Sequence, residues 1–365
     1  MIPLLNFLRP SRSMRMINLL LPLVKSSQQT LYAKLSHVPV LAEETIEIMN
    51  VRSASIVMDM TFGGGGHSRK ILETSNSVKV IAVDRDPVAY LKAKELAKEF
   101  PGRVQPILGK YSELRDLLHK EVQPGNVDCI LFDCGSSSMQ YDDPDRGFSI
   151  SKDGPLDMRM DGDRIPGQLT AADVLANGEE SDLAKIFKIY GEEKYAKKIA
   201  RNIIESRYLL QRLRTTKEFA SLVANSIGYD TRSDKLDRPT HSATKCFQAL
   251  RIFVNNELNE LDFGLHLAYK YLRRGGRVVA LTFHSLEDRI VKRHFLGIDM
   301  DEPINQGIGQ KMKNAQKVYS KDELESYYEK KWSVLFKEII TPSDEEVRIN
   351  PRSRSVKLRC ALKIE

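Results

Sequence analysis

Four consecutive glycines, Gly63 to Gly66, separate two apolar runs that each end in an acid, Val57-Met58-Asp59 before them and Val80-Ile81-Ala82-Val83-Asp84 after them. A strand, a glycine turn, a helix and a second acid-tipped strand make up the opening of a nucleotide-binding βαβ unit. Glycine carries no Cβ, so the backbone of such a turn approaches a ligand closely before entering the helix that begins near Ser68. A phosphate loop would place Lys-Ser/Thr directly after the glycines, and His67-Ser68 stand there instead, which argues against ATP or GTP hydrolysis. Asp84 lies 18 residues beyond Gly66, where an acid that holds a ribose belongs. The spacing points to an adenosine cofactor and leaves a dinucleotide open. Asp59, an acid ahead of the glycines, suits a cofactor with an amino group, such as S-adenosylmethionine, better than a pyrophosphate. A glycine turn without a ligand is the plain alternative.

A second cluster, Asp133-Cys134-Gly135-Ser136-Ser137-Ser138-Met139-Gln140, follows a later apolar run. Methyltransferases that act on exocyclic amines place their catalytic loop after the fourth strand. The lone pair of an exocyclic cytosine or adenine amine is delocalised into the ring, so acceptors aimed at its N–H hydrogens help release that pair toward a methyl group held in line. Asp133 and the loop from Cys134 through Ser136, Ser137 and Ser138 offer such acceptors; a Ser/Gly turn with a capping Asp is the alternative. His284 follows the Val278 to Thr282 run and is a candidate acid or base, or simply a satisfied polar residue. Ser285 and Asp288 have the spacing of a capping box for the helix after it. Lys194, Lys197, Lys198 and Arg201 are spaced to share one helix face, which is either solvated or set against phosphates.

These groups need a scaffold. Strand-like runs at 56–60, 78–83, 104–108, 128–132 and 277–283 alternate, up to the fourth, with helical segments, the pattern of a parallel sheet covered by helices on both faces. In such a sheet ligands gather at the carboxyl ends of the strands, where both clusters fall. Between 142 and 167 Pro, Gly and Asp accumulate, and helical segments follow at 171–175, 182–189, 193–207 and 216–226, an inserted helical subdomain. The sheet then resumes through one long amphipathic helix over 247–271, a turn at 273–277, a strand at 278–282 and a final strand at 356–364. The last two are read as strands six and seven of the sheet. The polar stretch 297–331 reads as a mobile loop.

The 365 residues carry a formal charge of +7, unevenly spread. No Asp or Glu occurs in the first 42 residues, which hold Arg9, Arg12, Arg15, Lys25 and Lys34 among serines and leucines, the pattern of an organelle transit peptide. Met16 to Val24 contains Asn18 and Pro22 and falls well short of the roughly 20 residues a membrane helix needs. Without residues 1–36 the chain would hold 51 basic and 49 acidic residues, a net of +2, so nucleic-acid binding must come from local patches. The four cysteines are scattered, which argues against a zinc knuckle or a disulfide framework.

Taken together, the motifs resemble the MraW/RsmH family of ribosomal RNA (cytosine-N4)-methyltransferases. Matching segments include His37-Val-Pro-Val-Leu41, Asp59 to Ser68, Asp84-Arg85-Asp86, Arg146-Gly147-Phe148-Ser149, the 153–161 segment, Tyr190 to Glu193, the 247–258 segment, the run from Phe283 to Arg293, and Asn350-Pro351-Arg352. The resemblance implies S-adenosylmethionine contacts at Gly65, Gly66 and His67, with Gly64 beside them, and at Asp84, Tyr111, Asp133 and Gln140. It departs from bacterial members at Asp133-Cys-Gly-Ser-Ser-Ser-Met-Gln140 and His241-Ser-Ala-Thr-Lys-Cys246, as the mitochondrial branch does.

The implied fold is α/β, a Rossmann-like seven-stranded class I methyltransferase sheet with an inserted helical subdomain. The implied parts are a transit peptide over 1–36, a methyltransferase domain over 37–141 and 246–365, and the insertion over 142–245. The implied activity is N4 methylation of a cytidine in mitochondrial small-subunit rRNA, or in the assembling small subunit, within the matrix. Arg146, Phe148, Arg159, Lys194, Lys198 and Arg201 would grip the RNA; the chemistry calls for no metal and no membrane. A non-catalytic assembly factor of the same fold and a nicotinamide-dependent oxidoreductase are the rival readings.

Overall fold

A computed structural model describes residues 39–118, 122–209, 212–229, 231–233, 239–298, 331–336 and 338–364. The leader and most of the expected loop at 297–331 therefore lie outside the described residues. The described residues from Val40 onward form one compact unit. Its main sheet has seven strands: β1 (Ile56–Asp59), β2 (Lys79–Asp84), β3 (Val104–Leu108), β4 (Val127–Asp133), β5 (Leu272–Thr282), β6 (Trp332–Val334) and β7 (Lys357–Lys363), in the order β3-β2-β1-β4-β5-β7-β6. The first five run parallel and β7 runs antiparallel to both neighbours.

Parallel strands bury both faces, and these do. Met58, Ile81, Ile130, Phe132, Val278 and Ala280 pack on one side, while Val57, Val80, Ala82, Leu131, Val279 and Leu281 pack on the other. The register aligns Asp59 with Leu131 and Ala82, and Asp133 with Leu281, so the acids that end β1, β2 and β4 emerge along one edge. Strand order reverses between β1 and β4, which makes that edge the switch point where open α/β sheets bind ligands.

Between β4 and β5 the helices Ala171–Asn177, Glu180–Tyr190, Ala196–Tyr208, Thr216–Ile227 and Thr244–Asn255 enclose a core of their own around Phe187, Ile199, Phe219 and Phe247. Thr170 and Thr215 start two of these helices with reciprocal capping boxes.

Three expectations need correction. The helix over 247–271 is two helices, because Asn256 takes a left-handed conformation (φ 51°) that ends Thr244–Asn255 and starts Glu257–Tyr271. Residues 273–277 belong to a long β5 rather than to a turn. The 278–282 strand is consequently the fifth, and the short β6 at Trp332–Val334, too brief to signal itself, is the sixth.

Candidate functional site

The glycine turn connects β1 to the helix Gly66–Glu73 and is shaped residue by residue. Gly63 and Gly65 are left-handed (φ 53° and 79°), and a Cβ on Gly65 would lie 2.6 Å from the Phe62 ring. A Cβ on Gly64 would meet nothing within 4 Å, so its backbone faces open space. Across from it, the Asp84 carboxylate accepts the N–H of Gly63 at 2.7 Å and of Asp86 at 2.9 Å, which fixes the carboxylate and leaves lone pairs for a ligand's hydroxyls. Burial pushes Asp84 up to about 7 despite those two N–H donors. Tyr111, after β3, meets Phe132 edge to face with ring centroids 5.7 Å apart, and Gly264 gives its ring room: a Cβ there would lie 2.8 Å from it. These residues form a cradle with a polar side for a ribose and an apolar side for a base. The chain's donors and acceptors fit S-adenosylmethionine.

Asp59 is engaged by its own turn. It is 1% exposed, and its carboxylate accepts the Ser68 hydroxyl at 2.6 Å and the Thr61 N–H at 3.1 Å. Through these bonds it braces the glycine turn.

Asp133 ends β4 beside this cradle. One of its oxygens, Oδ1, is buried without a hydrogen-bond partner among the described residues, and the other stands 3.5 Å from Nδ1 of His67. Burial and then the nearby charge of Glu287 push Asp133 up to about 7. His67 is held through Nε2 by the Val40 carbonyl at 2.9 Å, and burial lowers its pKa. Among the described residues no donor reaches this buried acceptor, which is unusual for a buried polar atom.

The serines divide their roles. Ser137 caps the helix Ser138–Asp142, whose N1 position Ser138 occupies, and Ser136 accepts from Arg251 at 3.1 Å. Gln140 is 4% exposed; its Oε1 accepts the Ser137 N–H and its Nε2 donates to Asp86 at 2.8 Å. Through these bonds Gln140 ties the serine loop to Asp86.

His284 also changes role. It is the N-cap of the helix Ser285–Leu296, in place of the expected Ser285–Asp288 box, and its Nε2 lies 2.9 Å from Glu287. Ser285 instead bonds Glu192, and Asp288 pairs with Arg359 and Lys357. Burial alone would raise Glu287, but His284, Arg251 and the Phe283 N–H hold it below the usual carboxylate range. Glu287, Arg251 and Glu257 are a buried charged layer beneath the serine loop, with Arg251 and Glu257 at 2.8 Å. Sequence gave no signal for it, since their positions are scattered over the chain. Asp86 was detectable, because Asp-Pro is a helix-start signature and Asp86 caps Pro87–Glu99.

Of the residues expected to grip RNA, three are framework. Phe148 is 4% exposed within the helical core. Arg146 pairs with Asp86 at 2.9 Å and donates to the Arg159 and Met160 carbonyls, while Arg159 is shared between Asp157 and Asp163. Lys194 precedes the helix Ala196–Tyr208 and lies over the Tyr195 ring, so the expected four-residue face reduces to Lys197, Lys198 and Arg201, the last 3.7 Å from Glu180.

Residues 34–364 match the family model described as the MraW methylase family. A mouse protein, 12S rRNA N(4)-cytidine methyltransferase METTL15, is 51% identical over 338 residues, covering 90% of this chain and 82% of that protein. Ribosomal RNA small subunit methyltransferase H of Parvibaculum lavamentivorans is 41% identical over 325 residues, covering 89% and 88%. A longer Culex quinquefasciatus protein, named for a receptor-type tyrosine-protein phosphatase, mosPTP-1, is 49% identical over 330 residues; 90% of this chain spans 22% of that protein.

Proposed function

The chain belongs to the MraW methylase family, and on that premise we propose that it methylates the N4 amine of a cytidine in mitochondrial small-subunit ribosomal RNA, using S-adenosylmethionine. The observation that carries this reading is Oδ1 of Asp133 at the switch point, without a hydrogen-bond partner among the described residues, next to the cradle of Gly64, Asp84 and Tyr111. The bound cofactor supplies an electrophilic methyl group. Gly64 to His67 would admit it closely, Asp84 would accept from its ribose hydroxyls, and Tyr111 would cover its base. Asp133 would accept an N4 hydrogen of the cytosine, orienting the amine and returning its lone pair from the ring to the nitrogen, so that N4 bonds the methyl carbon while the methyl–sulfonium bond breaks and the thioether leaves. The proton lost from N4 passes to Asp133 or to water. A paired N4 is occupied, so the cytidine is single-stranded or extruded when it reacts.

Lys197 and Lys198 supply phosphate contacts in this reading, and the acid-free leader fits import to the matrix, where the substrate is the assembling small subunit. Nucleoside mass spectrometry of mitochondrial small-subunit rRNA, with and without the protein, tests it: loss of N4-methylcytidine on depletion is expected, and unchanged levels overturn it. If Asp133→Ala restored mitochondrial translation while methylation stayed absent, the protein would act as a non-catalytic assembly factor.

A further inference from the structure

Two helices that flank β5 bring together three side chains that the methyl-transfer chemistry leaves unused. Asp262 and His266 stand one turn apart on Glu257–Tyr271, and His294 stands near the end of Ser285–Leu296. One ligand atom from each, an Asp262 carboxylate oxygen and a ring nitrogen from each histidine, lies within 4.8 Å of the other two. Asp262 Oδ1 is 2.6 Å from His294 Nε2, and the two imidazoles meet edge on with centroids 4.6 Å apart at 75°. An i, i+4 pair from one helix facing a residue of a second helix is a common way to present ligands to one ion. Around a tetrahedral zinc, with ligand bonds of about 2.0–2.2 Å, the donors would stand about 3.4 Å apart, so small side-chain rotations suffice.

We propose that Asp262, His266 and His294 form a binding site for a late first-row divalent cation of the zinc type. Two imidazoles and one carboxylate favour zinc, cobalt or nickel over magnesium or calcium, which prefer all-oxygen shells. Soft competitors are not at hand in the folded protein, because Cys129, Cys134, Cys246 and Cys360 are all buried. Three protein ligands leave at least one position for water or a further ligand, and His266, the exposed member, gives the ion its entry.

The site is separate from the methyl-transfer centre. Asp262 and His266 each stand two residues from Gly264, which faces the Tyr111 ring, and so project from the other side of their helix. Its consequence is mechanical. Glu257–Tyr271 also carries Glu260, which accepts from the Ser112 N–H and hydroxyl, and Gly264, which faces the Tyr111 ring. An ion joining this helix to Ser285–Leu296 clamps, from its outer side, the helix that backs the cofactor's aromatic wall. Lys331, with its ammonium over the Tyr269 ring at 5.8 Å, is a cation in the neighbourhood of His294 and opposes further positive charge there.

Cobalt(II) and zinc titrations of the purified full-length chain, after chelator treatment, test the proposal. One equivalent of cobalt should give visible d–d absorption, displaced by zinc, and zinc should raise the thermal midpoint. His266→Ala, at an exposed position, and Asp262→Asn, which keeps a hydrogen bond to His294, should each weaken binding at least tenfold while melting near the parent without metal. If His294→Ala fails to fold, those two variants still decide. No binding by the parent, or parent-like binding by both variants, overturns the site, and neither result bears on methyl transfer.

Discussion

Nδ1 of His67 and Oδ2 of Asp133 face each other at 3.5 Å in the centre of the site. A carbonyl only accepts, so the Val40 oxygen on Nε2 places the ring hydrogen there and leaves Nδ1 bare in the neutral imidazole. Two acceptors facing across a partly dry gap repel unless one proton lies between them. Burial lowers His67 and raises Asp133 to about 7, so the pair holds that proton on Asp133 at acid pH and gives it up near neutrality. Ionised Asp133 then keeps one oxygen without a partner among the described residues, the acceptor proposed for the substrate amine, and turns the other toward His67.

From this follows an exchange of stability for activity. Asp133 ordinarily titrates at 3.8, so between pH 4 and 7 the folded chain binds the proton that the unfolded chain has lost, and stability falls as pH rises through that window. At ~1.4 kcal/mol per pKa unit the penalty above pH 7 is a few kcal/mol. Asp133→Asn is expected to raise the denaturant midpoint at pH 8, to change it little at pH 4, and to reduce methyl transfer at least ~100-fold while cofactor affinity is kept. Urea melts at the two pH values and single-turnover assays check it; a destabilised Asn variant at pH 8 contradicts the strained-acid account.

In the proposed reading Asp84 makes cofactor binding pH-dependent. Its carboxylate accepts hydroxyls well only when ionised, and burial holds its pKa at about 7. Affinity for S-adenosylmethionine should fall by up to about tenfold per unit as pH drops below 7 and level off above it. Asp84→Asn should flatten that profile and weaken binding by ~1.5–3 kcal/mol, since a charge-assisted bond is lost. Calorimetry from pH 5.5 to 8.5 distinguishes this from a general loss of fold, which would remove the plateau as well.

The half of the site built from contiguous residues was legible in sequence, and the half built across the fold was not. The glycine turn with Asp84 announces itself because its function needs a fixed local order, and so does the loop after β4. Asp59 also carried the expected pattern, but only the structure shows Ser68 and Thr61 already occupying its oxygens. Periodicity runs unbroken through Asn256, so two helices looked like one; Asn255 marks the break by bonding the Met160 N–H and the Met158 carbonyl, partners nearly a hundred residues away. Arg146 and Phe148 looked like an RNA grip because an arginine beside an aromatic often is one. Burial decides that question, and a sequence does not display it.

Arg146 therefore belongs to the fold. It neutralises the buried Asp86, and its guanidinium satisfies two main-chain carbonyls. Arg146→Ala strands that carboxylate and should cost ~3–5 kcal/mol, with loss of cofactor and RNA binding together as the Gln140 and Asp86 contact loosens. Lys197→Glu with Lys198→Glu should leave the melting temperature near the parent, weaken RNA binding and reduce the slope of affinity against salt. A parent-like melt for Arg146→Ala, or an unchanged salt slope for the double lysine variant, would return the RNA contact to Arg146.

Gly64 and Gly65, adjacent and chemically identical, should respond in opposite ways to the same substitution. At Gly65 the backbone is left-handed and a new methyl would overlap Phe62, which is itself packed in the core. Gly65→Ala should lower stability by ~1–2 kcal/mol for the conformation, with a further cost for displacing the ring. At Gly64 φ is unexceptional and the methyl would enter open space. Gly64→Ala should melt within about 0.5 kcal/mol of the parent, yet that space is where the cofactor's backbone contact is expected, so affinity should drop at least ~10-fold. Thermal melts and calorimetry on both variants separate the two effects. Equal affinity for Gly64→Ala and the parent would show that the cofactor does not approach the turn from this side.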